Sequence, residues 1–385
     1  MKKLKIFGII ALIIVAIGVC FAYYQKLNVS NENTVNETNE VVTKSKTKES
    51  TKTPTIFSGT DRPIAVMIDN NVYAFPHAGL SKAYMVYEII VEGGETRLMA
   101  LFKGVNLEKI GPVRSSRHYF LDFALENDAI YVHYGWSPKA ESNIKSMGIN
   151  NINGITDSDV FWRVKDKSAP HNAVTSTENI LKFAKEKGYR TTSSATSVLN
   201  YSVDEINLGE ESHTNSENNT SLTSNTSSSS ASSLSSSNAS SSSNSSTSKS
   251  INVFDATKIT VPFSDATISK WTYDEQTKTY YRTSKNKQET EWDTGEAVKF
   301  KNIIIEFIKN TKLDDTENKD RQEINTVGTF DGYYITNGKA IKIKASKTSR
   351  AGKTVYTDEN GNNLKVNDGN TFVEICPINA KVTIE

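Results

Sequence analysis

Three carboxylates and an arginine crowd around two glycines in the stretch YMVYEIIVEGGETRLMALF, residues 84–102. Glu88 and Glu92 are the residues here that could exchange a proton with a substrate, because a carboxylate near His or Arg can serve as general acid or base. A pair of such carboxylates is also the equipment for cleaving a glycosidic bond. Arg97 closes the cluster, and GPVRSSR adds Arg114 and Arg117. Guanidinium groups bind carboxylate and phosphate well, so these three suit an anionic ligand. His133 lies in AIYVHYG, and His171 lies beside Asn172 in SAPHN. Both histidines could join the same place. A zinc site from His133, His171 and a glutamate is the metal alternative, but no tight ligand spacing supports it. No metal or cofactor is expected.

These side chains need elements to place them. Gly93-Gly94 can take the positive φ values of a tight hairpin turn. A two-residue turn sets Glu92 opposite Glu95, Ile90 opposite Arg97 and Glu88 opposite Met99. Opposed residues share a face. Glu88, Glu92, Glu95 and Arg97 then project to one side, and Tyr87, Ile89, Val91, Thr96, Leu98 and Ala100 to the core side. The charged side is either solvated, as one face of an antiparallel sheet often is, or covered. SSRHYFLDFALEN reads as a helix capped by Ser115 or Ser116. Arg114 and Arg117 would stand at its N-terminus, where cations are unfavourable unless an anion is near. That anion is the glutamate face or a bound ligand.

The surrounding segment, residues 58–202, alternates strand and helix patterns. RPIAVMID, MVYEIIVE, TRLMALFKG and AIYVHYG read as strands. SPKAESNIKSMG is a helix with Pro138 in its first turn, and Thr175 with Glu178 forms a capping box for TENILKFAKEKG, which Gly188 ends. The pattern is α/β (α+β). Residues 251–385 are mostly β, and a small antiparallel sheet or open barrel is expected. Asn337-Gly338 marks a hairpin, WTYDEQTKTYYRT and VYTDENGNNLKV read as two more, and TFVEICP as a late strand. Trp271, Tyr273, Tyr280 and Tyr281 suit either a sugar platform or cross-strand packing. Ser142-Asn143-Ile144-Lys145 has the S-x-x-K spacing of penicillin-interacting enzymes without companion motifs, and a solvated helix face explains it better.

Two polar segments separate these parts. Residues 26–57 read as a disordered stalk. Residues 203–250, ending in SSSSASSLSSSNASSSSNSSTSKS, read as a flexible Ser-rich linker. At the N-terminus, residues 1–25 read as a membrane anchor. Ile6 to Tyr24 is uncharged and apolar and follows Lys2, Lys3 and Lys5. At about 1.5 Å per residue it can span a ~30 Å bilayer core as one transmembrane helix. The lysines keep the N-terminus in the cytoplasm, so the bulk of the chain is expected outside the cell membrane. A cleaved signal peptide and lipidation at Cys20 are the alternatives. The chain has two cysteines, Cys20 and Cys376, too few and too far apart for a disulfide framework. With 45 Lys+Arg against 44 Asp+Glu, it lacks the basic excess of a nucleic-acid binder.

RPIAVMIDN, GLSKAYMVYEIIVEGGETRLMALF, EKIGPVRSSRHYFLDFALENDAIYVHYGWSP and SAPHN resemble the YerB-like family of predicted extracytoplasmic lipoproteins of Gram-positive bacteria. WTYDEQTKTYYR and DGNTFVEICP are similar to that family's second domain. The resemblance implies a membrane-attached envelope protein and supplies no reaction. It adds Asp69 and Asn70 to the polar motif positions, beside Glu88, Glu92, Arg97, Arg114, Arg117, His133, His171 and Asn172. The Ser-rich tract is then an insertion, and Val19 before Cys20 departs from the usual lipidation motif. Three functions follow as expectations. The first is a module binding a cell-wall glycan, an anionic polymer or an envelope protein through the Glu/Arg/His face. The others are a glycan-acting enzyme using Glu88 or Glu92, and a scaffold with an internal ion-pair network.

Overall fold

A computed structural model describes residues 53–209, 250–314 and 317–385. The expected membrane anchor, most of the stalk and most of the Ser-rich linker lie outside these residues. Among the described residues no helix is long and apolar enough to cross a membrane. The folded body begins before residue 58, since Thr55 and Ile56 donate backbone hydrogen bonds to Asp368 and Phe57 packs on Tyr84.

The fold is mixed and sheet-rich, with few helices. The first part supplies β1 (Ile64–Asp69), β2 (Met85–Ile90), β3 (Thr96–Phe102), β4 (Ile130–His133) and β5 (Asn151–Asn153). A small antiparallel pair follows, β6 (Phe161–Arg163) with β7 (Ala173–Thr175). Three helices accompany them: α1 (Phe120–Glu126), α2 (Pro138–Ser146) and α3 (Thr177–Glu186). The later part supplies β8 (Lys258–Pro262), β9 (Ile268–Asp274), β10 (Thr279–Ser284), β11 (Asn302–Ile308), β12 (Gly328–Thr336), β13 (Lys339–Lys347), β14 (Val355–Asp358) and β15 (Thr371–Pro377).

Both parts contribute to one large sheet, in the order β14-β13-β12-β11-β15-β2-β3-β1-β4-β5. The seam is the parallel pairing of β15 with β2, and β15 also runs parallel to β11. The later part is mainly antiparallel, as expected, but it does not close on itself: β15 runs parallel to both its neighbours and joins the first part's strands. Parallel central strands are covered on both faces and read as near-continuous apolar runs. MVYEII, NIIIEFI and TFVEICP are such runs, each broken by a single glutamate: Glu88, Glu306 and Glu374. A second sheet built on β8-β9-β10 packs over one face, where Trp271 meets Phe372 with ring centroids 4.8 Å apart. Helix α1 covers the other face, where Tyr87 packs on Phe123 at 4.6 Å.

Local chemistry decided several ends differently from the sequence patterns. Helix α1 starts at Phe120 without a side-chain cap. Ser115 and Ser116 lie instead on an extended segment, where Ser115 Oγ donates to the Tyr134 carbonyl and Ser116 Oγ accepts from Tyr131. Ser176, not Thr175, caps α3, because Thr175 is still in β7. Asn337 and Gly338 both have positive φ and close the β12–β13 hairpin as their dipeptide demands.

Gly332 in β12 has no room for a side chain, since an added Cβ would lie 2.2 Å from the Ile305 carbonyl oxygen. Gly332→Ala should therefore destabilise the protein by about 1–3 kcal/mol or more, read as a lowered denaturant midpoint. An unchanged midpoint would show that β11 and β12 are not packed this closely.

Candidate functional site

The double-glycine bend is one residue longer than a two-residue turn. Val91 N donates to Glu95 O at 2.7 Å across a loop of Glu92, Gly93 and Gly94, with φ of 65° and 71° at the glycines. The register becomes Glu88 opposite Leu98, Ile89 opposite Arg97 and Ile90 opposite Thr96. A shift of one residue sends every side chain of one strand to the other face. Glu88 and Arg97 thus project to opposite sides of the sheet, and Thr96 joins Glu88.

On the Glu88 side the charge is buried beneath the second sheet. Glu88 Oε1 accepts from Thr96 Oγ1 at 2.6 Å and Asn70 Nδ2 at 2.9 Å. Its Oε2 accepts from Arg282 of β10 at 2.6 Å. Arg282 also donates to Glu289 at 2.9 Å, and His77 Nδ1 lies 2.6 Å from the other Glu289 oxygen. His77 Nε2 lies 2.5 Å from the Asp69 carbonyl oxygen. Both ring nitrogens of His77 are thus engaged by oxygens, and Arg282 lies between Glu88 and Glu289, all with side chains at 0 % exposure. Burial alone would lower the proton affinity of Arg282, but Glu88 and Glu289 outweigh it and hold it above the usual arginine range. Burial raises that of Glu289, yet His77 and Arg282 outweigh it and hold the carboxyl below its usual range. Neighbouring Glu374 has no such cation of its own. Burial and then the Glu88 charge push it well above the carboxylate range, while Trp271 and Ser269 donate to it at 2.8 and 2.9 Å.

On the opposite side the structure gathers Asp69, Glu92, Arg97, Arg114, Arg117 and His171. Asp69 pairs with Arg97 across β1 and β3. Arg117 holds Glu92 in a bidentate pair at 2.5 and 2.8 Å, and Arg97 and Arg321 approach the same carboxylate at 4.0 and 3.8 Å. Burial raises the Glu92 carboxyl, but the hydrogen bond and charge of Arg117 outweigh it and leave it below its usual range. Arg97 donates to the Ser115 carbonyl. Burial, then the charge of Arg117, pushes Arg97 down to about 9. Arg114 is not at a helix mouth. Its backbone bridges β1 and Tyr134, through Met67 O and Tyr134 N at 2.9 Å each. Its Nε lies 3.2 Å from Asp69 Oδ2, and His171 Nδ1 lies 2.7 Å from the same oxygen.

His133 and Asn172 stand apart from that cluster. His133 is fully buried, with Nδ1 2.8 Å from Gly135 O and Nε2 3.1 Å from Asn151 Oδ1. Burial pushes it down to about 4. Both its nitrogens are engaged by protein, so it does not meet His171 around a metal. Asn172 shapes the loop before β7: it accepts from Arg163 at 2.6 Å and donates to Val164 O and Lys167 O. Trp271 and Tyr280 are core residues. Lys145 of the S-x-x-K spacing pairs with Glu141 at 3.2 Å on an exposed face.

Two cavities adjoin the Asp69 partners, one lined by His171 and the other by Arg114 and Pro170. One, of about 590 Å³, is lined by Tyr73, Phe75, Lys167, His171 and Trp292 among others. The other, of about 420 Å³, is lined by Arg114, Tyr134, Trp136, Arg163 and Pro170 among others. The sequence reading missed Tyr73, Lys167, Arg163, Trp292 and the buried partner Arg282. SAPHN and the aromatic residues around it carried a partial signal. Nothing local in sequence pairs Trp292 with Asp166, which accepts from its Nε1 at 2.9 Å.

One sheet is shared by the two sequence parts, with a polar cluster at the end of β1. Residues 47–190 match the family described as "Protein of unknown function (DUF3048) N-terminal domain". Residues 259–373 match its C-terminal domain. The chain belongs to this family. It is 43% identical over 130 residues to the "Putative lipoprotein YerB" of Bacillus subtilis (strain 168), a match covering 34% of this chain and 39% of the relative. The crystal structure of YerB from Bacillus subtilis superposes with a TM-score of 0.65 at 26% identity, covering 84% of this chain and 94% of that one.

Two outcomes follow from the buried groups. Arg282→Met should cost roughly 3–5 kcal/mol, because it strands the buried Glu88 carboxylate without its cation and leaves Glu289 with His77 alone. A denaturant midpoint equal to wild type would remove Arg282 from that role. For His133, the folded value near 4 lies below an unfolded value near 6.5. The unfolded chain therefore binds the extra proton first, and stability falls as pH drops from about 6.5 to about 4, by up to roughly 3 kcal/mol. His133→Gln should flatten that part of the stability–pH curve, measured by urea unfolding at each pH.

Proposed function

We propose that this chain is a membrane-tethered, extracytoplasmic envelope protein that binds an anionic, sugar-containing cell-wall polymer across the two cavities lined by His171 and by Arg114 with Pro170. The observation that carries this reading is the mixture of ring faces and cations around them. Tyr73 is 73% exposed, and its ring centroid lies 5.8 Å from that of His171. Lys167 lies over the Trp292 ring at 3.9 Å, and burial pushes its ammonium down to about 8. In the other cavity Arg163 lies over the Tyr134 ring at 5.0 Å, beside Arg114. Aromatic faces suit sugar rings and guanidinium groups suit carboxylates or phosphates.

Glu88 is sealed beneath the second sheet and Glu92 is clamped by Arg117, so the reading routes no acid–base step through either. The tether rests on the Ile6–Tyr24 run behind three lysines, with Cys20 as the lipid-bearing alternative, and on likeness to a relative named as a lipoprotein.

Purified Gram-positive cell walls should sediment the detergent-solubilised protein. Tyr73→Ala and Arg163→Gln should each weaken that binding roughly tenfold, the loss of about 1.4 kcal/mol from one stacking or charged contact. Raised salt should weaken the wild type as well. Failure of wild-type protein to bind walls at low salt would overturn the reading.

A further inference from the structure

Asp69 and His171 form a dyad whose free edge faces solvent. Asp69 is 4% exposed and fixes His171 Nδ1 at 2.7 Å, while Arg114 Nε steadies the same carboxylate oxygen from 3.2 Å. A carboxylate on one imidazole nitrogen sets the tautomer and leaves the other nitrogen as a proton acceptor. His171 Nε2 makes no hydrogen bond with the described residues, and the ring lines the 590 Å³ cavity with Tyr73, Ser168 and Lys167. Lys167 is fixed there by the Ala74 and Pro76 carbonyls at 2.7 and 2.9 Å.

We propose that His171, oriented by Asp69, is a catalytic general base that hydrolyses phosphodiester bonds in the polymer held by these cavities. The inference rests on the binding reading above and names its substrate class. Lys167 lines the same cavity as the imidazole, and Arg114 sits on Asp69 and lines the second cavity with Arg163; such cations suit a bond whose transition state carries anionic equatorial oxygens. A glycosidic bond would need two carboxyl groups free to act. The carboxylates nearest the imidazole do not meet that need: Asp69 is bound by His171 and Arg114, and Asp166 by Trp292.

In the step, a water oxygen bonds to phosphorus as His171 Nε2 takes the water proton. The bond from phosphorus to the polymer oxygen breaks, and its electron pair stays on that oxygen. The imidazolium returns the proton there, giving a phosphomonoester and a free hydroxyl with no net proton change. Asp69 holds the Nδ1 proton throughout and is a positioning residue.

The test uses full-length protein in detergent with two probes: purified walls rich in phosphodiester-linked polymer, and bis(p-nitrophenyl) phosphate. Wild type should release soluble phosphate-bearing fragments and nitrophenol. His171→Ala should lose at least about 100-fold of both rates, and added imidazole should restore nitrophenol release. Asp69→Asn should lower kcat on the small phosphodiester more than it changes KM. Wild-type protein that binds walls but acts on neither probe overturns the dyad and leaves the binding reading standing. His171→Ala activity equal to wild type also overturns it. Wild-type protein that cleaves the small phosphodiester, through His171, without binding walls supports the dyad and overturns the polymer reading.

Discussion

The guanidinium of Arg282 is the contact on which the arrangement of this protein depends. It reaches from β10 across the interlayer space to Glu88 at 2.6 Å and to Glu289 at 2.9 Å, with no exposure at any of the three side chains. Two carboxylates this deep cannot both remain charged without cations. The family's N-terminal part supplies Glu88 and His77, and its C-terminal part supplies Arg282 and Glu289. Arg282 pairs with Glu289 within the C-terminal part, but Glu88 meets its cation only across the boundary, so the two parts are one folding problem. The parallel pairing of β15 with β2 makes the same demand on the backbone.

That buried network also explains the exterior. With Glu88 turned inward, the opposite face keeps Arg97, Arg114 and Arg117 against Asp69 and Glu92, an excess of cations at the end of β1. Burial, and then the neighbouring Arg117 charge, depress the proton affinity of Arg97. Much of the cluster is internally paired, and its open end is where Arg114 and His171 reach the two cavities. Structural ion pairs thus present a small number of polar groups in fixed orientation to solvent, which is what a binding or catalytic position requires.

The strands of the central sheet were legible in the sequence because burial on both faces demands uninterrupted apolar residues. MVYEII, TRLMALF and TFVEICP fall where their patterns placed them. The hairpin at Asn337-Gly338 was legible because that dipeptide tolerates positive φ at both positions. The caps were less so. Ser116 and Thr175 have the right side chains, but long-range backbone pairing claimed them first, and the Ser115 hydroxyl is taken by the Tyr134 carbonyl.

By itself the sequence determined the apolar strands, the turn residues, the polar segments between them and the identity of the groups able to do chemistry. Those follow from local sterics and from the free energy of burying side chains, which act over a few residues. The tertiary structure decided which groups meet. One extra residue in the Glu92–Gly94 loop put Glu88 and Arg97 on opposite faces. Pairing across nearly 200 positions then gave Glu88 to Arg282, and pairing across about 100 gave Asp69 to His171. Such partners are selected by the register and packing of whole strands, and no local pattern records that choice.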